Sequence, residues 1–181
     1  MEPRDSGRVQ DKLIKQLERQ EKKQAIQQER FFRLKLSEIH NKLSQTLLMK
    51  KVIETDNPGT ISTLILKGLK QALNSSEFDF EYFIAPVRKI VPRPDRYSLY
   101  MTQYIIEGLI NDPSVIDIYG TDLEIYEAVN EVFNQVSMKF EKVEEGIAAQ
   151  LSHDKSLVPG TREYEIAMDR LFREKVGEPA R

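Results

Sequence analysis

From Arg8 to Lys51 the sequence contains neither proline nor glycine, and no other property of the chain restricts its fold so tightly. The stretch is rich in Leu, Gln, Glu, Lys and Arg, side chains that lose little rotamer freedom in a helix. Asp5 or Ser6 offers a cap at its start. A continuous helix of this length spans about 65 Å at roughly 1.5 Å per residue. Its apolar content changes along the way. Val9, Leu13, Ile14 and Leu17 form a short stripe, whereas between Glu18 and Arg30 only Ala25 and Ile26 are apolar. Phe31, Phe32, Leu34, Leu36, Ile39 and Leu43 then restore a strong face at helical spacing. The pattern predicts a last part facing a core and a middle part standing in water.

The remainder predicts further helices and little else. Asn57-Pro58 reads as a cap followed by proline at the first helical position, with Ile61, Leu64, Ile65, Leu69 and Leu73 behind it. Pro86, Pro92 and Pro94 limit the next segment to a short helix or an extended connector. A helix opens near Asp95 and is broken by Asp112-Pro113. "TDLE", Thr121 to Glu124, has the form of a capping box and starts a helix that runs past Phe140. Thr161 caps a last amphipathic helix. The only candidate strand is a short "VIDIY". The fold class is therefore all-α.

Two segments share one plan: an apolar helix, an Ile-acidic element, a capped turn, and a second helix with an apolar face. Leu43, Leu47 and Leu48 correspond to Ile105, Leu109 and Ile110. This suggests two similar helical units in tandem behind a long N-terminal helical arm. The expected divisions are a projecting basic arm over residues 1–35, a first unit over 36–91, and a second unit with the C-terminal helix over 92–181.

Charge separates the same parts. Residues 1–51 carry 13 Lys/Arg against 7 Asp/Glu, and residues 52–181 carry 14 against 22. A basic front end on an acidic body is the clearest asymmetry in the chain. With no cysteine, disulfides, thiolate metal sites and a cysteine nucleophile are excluded, and a reducing compartment fits. No apolar run approaches the roughly 20 residues of a spanning helix. A soluble cytoplasmic protein is expected.

From about Asp95 to Lys175 the chain resembles the bacterial family known as domain of unknown function 507. The resemblance rests on "YIIEGLI", an Ile/acidic segment, a helix ending in a charged run, and "VPGTREYEIAMDRLFREKV". The family's closing motif has Glu-Gly-Ser or a close variant before an aromatic-containing charged helix. This chain has Pro159-Gly160-Thr161 there, and Tyr164 where the family often has Trp. The resemblance implies a fold and, in a tandem form, accounts for the first repeat. It implies no activity.

Catalytic chemistry has little to stand on. His40 and His153 are solitary, and neither lies at metal-ligand spacing from other ligands. Glu124, Glu127 and Glu131, like Glu141, Glu144 and Glu145, read as solvated faces rather than paired acids. Phosphate-binding and nucleophile-elbow motifs are missing. No cofactor and no reaction are expected. The arm is the feature that asks for a role: a helix polar all round bridges solvent, is held by i,i+4 pairs, or is unstable alone. The expectation is a non-catalytic protein that binds a protein partner or self-assembles, with Leu13, Leu17, Phe31 and Phe32 at the interface. Phe31 and Phe32 can equally be core. The alternative is a nucleic-acid or ribosome binder, or one docking on an anionic membrane surface. It would use Lys12, Lys15, Arg19, Lys22 and Lys23, with Arg93 and Arg96 of a connector whose tyrosines, Tyr97 and Tyr100, would stack on bases.

Overall fold

The computed structural model of the chain describes residues 6–75 and 85–176. Six helices and one two-stranded sheet account for nearly all of them. In chain order they are α1 (Ser6–Met49), β1 (Ile53–Thr55), α2 (Pro58–Leu73), α3 (Ala85–Ile90), α4 (Arg96–Asn111), β2 (Val115–Ile118), α5 (Asp122–Leu151) and α6 (Arg162–Val176). The all-α class holds. The strand foreseen at "VIDIY" is β2; its partner, the "IET" of β1, was not legible as a strand. Asp5 lies outside the described residues.

Local chemistry explains the element ends. The Asn57 side chain accepts from the Thr60 amide at 3.3 Å with Pro58 at the first helical position of α2. The Thr121 hydroxyl accepts from the Glu124 amide at 3.2 Å, and Thr161 accepts from the Tyr164 amide at 3.3 Å. Asp95, whose side chain accepts from the Ser98 amide at 2.9 Å, caps α4. At the end of α1, Lys51 takes a left-handed φ of 53°, a conformation that costs a residue with a Cβ.

Contacts divide the chain into two compact units that do not follow chain order. One contains residues 36–138, the other residues 1–35 with 139–181. The division by sequence into 1–35, 36–91 and 92–181 therefore differs from the grouping by contact.

In the unit of residues 36–138, helix–strand–helix occurs twice, and β1 pairs antiparallel with β2, Ile53 opposite Ile118, with an irregularity between Glu54 and Thr55. Leu43, Leu47, Ile61, Ile65, Leu69 and Ile105 are fully buried. Helices α2 and α4 approach closely because each carries a glycine at the contact. A Cβ on Gly68 would lie 3.3 Å from the Ile105 backbone nitrogen, and one on Gly108 would lie 2.7 Å from Leu64 Cδ2. The short α3 joins through Val87, which packs with Leu99 and Tyr126.

In the other unit, the first part of α1, the end of α5 and all of α6 share an aromatic core. Phe31 meets Phe140 edge to face at 5.2 Å between centroids, and Phe140 stacks on Phe172 at 4.8 Å. Ile147, Leu151, Met168 and Leu171 complete it.

Candidate interaction surface

The front of α1 is helical and in water together. Every residue from Gly7 to Ala25 is exposed. Leu13 is 52% and Leu17 57% exposed, and Val9 and Ile14 are similar. Leu13, Leu17 and Val9 lie at i±4 spacing on one face. Lys12, Lys15, Arg19, Lys22 and Lys23 are all exposed on the same helix. Four apolar side chains in water on an ordered rod have no folding advantage of their own.

Phe31 and Phe32 are placed differently. Both are 8% exposed and belong to the core, their rings 5.1 Å apart. Burial of these rings anchors the rod; it leaves them no surface to offer. The expectation that the stretch from Glu18 to Arg30 stands wholly in water also needs correction at its end, where Ile26 and Gln27 are half-buried and Arg30 is buried.

Arg30 was not singled out by sequence reasoning. Its Nε donates to Asp169 at 2.7 Å, a terminal nitrogen donates to Glu165, and its guanidinium lies 5.6 Å from the Phe172 ring centroid. Burial works against the Arg30 charge, but hydrogen bonds and attraction from Asp169 and Glu165 raise its pKa further. Arg33 adds a bond to Asp169 at 3.3 Å and one to Glu29 at 2.9 Å. Nearby, burial pushes the Glu144 carboxyl above the ordinary range, partly offset by Arg30 and Lys23. The one signal in the sequence was periodic: Arg30 and Arg33 continue the spacing of the cations before them.

The connector residues separate. Arg93 is exposed and adopts a left-handed φ of 52°. Arg96 is half-buried, its guanidinium 5.0 Å from the Tyr97 ring centroid. Tyr100 is fully buried and Tyr97 packs near Phe133, so Tyr100 has no face to present to a base.

Other candidates for chemistry are modest. His40 Nε2 lies 2.7 Å from the Ser62 carbonyl oxygen and donates to it, a local structural bond; His153 is exposed. Among the described residues no group of three His, Cys, Asp or Glu is placed to hold a metal ion. An open groove of about 450 Å³ runs between α2 and α4, with Thr63, Lys67, Tyr104, Glu107 and Asn111 on its walls. No helix is long and apolar enough to cross a membrane, among the described residues.

None of the curated proteins compared with the chain matches it. The sequence profile of one family does, over residues 84–177, just over half of the chain. That span takes in α3, α4, β2, α5 and α6 and contains the segment from Asp95 to Lys175 whose motifs carry the resemblance, and the chain belongs to the family described as "Protein of unknown function (DUF507)".

Proposed function

We propose that this is a non-catalytic helical protein that binds a protein partner, or assembles with itself, through its N-terminal arm. The observation that carries the reading is the exposure of Val9, Leu13, Ile14 and Leu17 on a helix continuous with a buried anchor at Phe31. An isolated polar helix of this length is marginal in water. Continuity with the anchored turns supplies order before a partner arrives, which lowers the entropic cost of binding. Lys and Arg steer the encounter and the apolar stripe supplies the affinity. The test compares the full chain with Leu13→Asp/Leu17→Asp by light scattering and by pull-down. Loss of self-association or of the copurifying protein supports the reading; identical behaviour rejects it. A truncation meant for the same purpose must stop before residue 25, because Arg30 is part of the folded unit.

A second reading, nucleic-acid or ribosome binding, is favoured by the exposed cations from Lys12 to Lys23. It predicts a steep loss of affinity between low and moderate salt. A duplex RNA titration at two salt concentrations, showing no such loss, rejects it.

The tandem arrangement belongs with this reading. The segments of α1–β1–α2 and α4–β2–α5 would be two copies; β1 opens at Ile53 and β2 at Val115, the offset that also relates Leu43 to Ile105. Antiparallel strand pairing is what a two-fold relation between copies requires. Superposition of residues 39–73 on 101–135 in a crystal structure tests this, and the lack of a near-two-fold rotation rejects it. A cytoplasmic location accords with the absence of cysteine, and cell fractionation checks it.

A further inference from the structure

We infer that the exposed stretch from Arg8 to Gln24 docks an acidic amphipathic helix of a partner protein, an inference that rests on the arm-docking reading and names its partner class. At roughly 100° per residue, Val9, Leu13, Leu17, Gln20 and Gln24 fall in one narrow sector that continues into Gln27 and Phe31. Arg8, Lys12, Lys15, Arg19, Lys22 and Lys23 occupy a second sector about 100° wide on one flank of it. Of the acids, Glu21 lies on the opposite flank, while Glu18 and Asp11 lie at the back of the helix, bordering the cationic sector. The rod is therefore striped, not polar at random.

Both stripes run on into the folded unit, and there each meets a partner of defined chemistry. The apolar sector ends at Phe31, which packs on Phe140 of α5. The cationic sector ends at Arg30 and Arg33, which pair with Glu165 and Asp169 of α6. Those two carboxylates stand four residues apart, one turn, on an amphipathic helix whose apolar side carries Met168 and Phe172. Before Ala25 the same two stripes are exposed. The cationic stripe that meets α6 thus continues on the free side for about 23 Å, from Lys23 back to Arg8, and beside it Val9, Leu13 and Leu17 continue the apolar stripe that meets α5 for about two turns.

A second copy of the arm is a poorer occupant. From Gly7 to Ala25 there are six cations against three acids, so two arms repel. Antiparallel pairing sets cationic flank against cationic flank. Parallel pairing brings the partner rod onto the sector that α5 covers from Phe31 onward. A helix from another protein, with carboxylates at i and i+4 beside an apolar stripe, meets neither obstacle.

The probe is a fluorescent synthetic peptide of about four heptads with Leu at the seam positions and Glu flanking them, titrated into the full chain and followed by anisotropy. Its counterpart with Lys in place of Glu and a short RNA duplex are titrated in parallel. The Glu peptide should bind saturably, Leu13→Asp/Leu17→Asp should weaken it at least about tenfold, and Lys12→Glu/Lys15→Glu/Arg19→Glu should weaken it by a similar factor. Circular dichroism confirms that each variant, altered only at exposed positions, remains folded. Absence of binding by the Glu peptide overturns the inference, as does binding that ignores the leucines. If the Lys peptide binds instead in a Leu13-dependent way, or the chain self-associates so, the acidic class is wrong while arm docking survives. If only the RNA binds, through the cations and without the leucines, arm docking falls too.

Discussion

Replacing Arg30 with methionine tests how the rod is anchored. Arg30 is 3% exposed, and Met keeps much of its stem volume while removing the guanidinium bonded to Asp169 and Glu165 over the Phe172 ring. A hydrogen bond to a charged group contributes about 1.5–3 kcal/mol, and breaking a wholly buried pair costs about 3–5 kcal/mol. Here Glu165 and Asp169 keep 25% and 33% side-chain exposure, so water reclaims part of the loss. The expected cost is about 2–3 kcal/mol, read as a lowered urea midpoint at constant slope. Arg33→Met is the control, since its bonds to Glu29 and Asp169 are exposed; it should cost no more than about 0.5 kcal/mol. The double-mutant cycle of Arg30→Met with Asp169→Asn should return about 1 kcal/mol or more of coupling. A further signature follows from sign. Arg30 attracts the Glu144 carboxylate, so without it that carboxyl is raised further and the variant's deficit against the parent should shrink as pH falls through the Glu144 window. If Arg30→Met costs no more than Arg33→Met, or the cycle closes with no coupling, Arg30 does not anchor the rod.

Three other outcomes follow from particular positions. Gly146 lies within α5 with nothing within 4 Å of an added Cβ, so Gly146→Ala should stabilise by about 0.5–1 kcal/mol, whereas Gly68→Ala, tight against Ile105, should gain less or lose, by the same denaturation assay. Lys51→Gly should raise stability by up to about 1 kcal/mol, because glycine adopts the left-handed φ of 53° freely; an unchanged or lower melting temperature would refute this. Glu144 has a folded pKa above its unfolded one, so the folded state binds its proton more tightly and stability falls as pH rises through that window. Glu144→Gln should remove this slope and be more stable than the parent at neutral pH, as measured by thermal melts across pH.

What the sequence by itself determined is local. The run without Pro or Gly supplies all but the first two residues of a 44-residue helix, and Asn57, Thr121 and Thr161 cap where hydroxyl and amide side chains precede apolar periods. These outcomes depend on neighbours within about four residues, so they are readable from spacing alone. The apolar stripe of Leu13 and Leu17 was legible for the same reason. Tertiary structure alone decided what each stripe meets. Arg30 looked like one more solvated cation until α6, some 135 residues later, brought Glu165 to it. β1 carries three residues, too few for an alternation to register, and exists because Val115–Ile118 lies beside it. Gly68 and Gly108 look alike as interior helix glycines; only the approach of α2 to α4 gives them a role. Pairing between distant residues depends on the path of the whole backbone, and no periodicity within one segment encodes it.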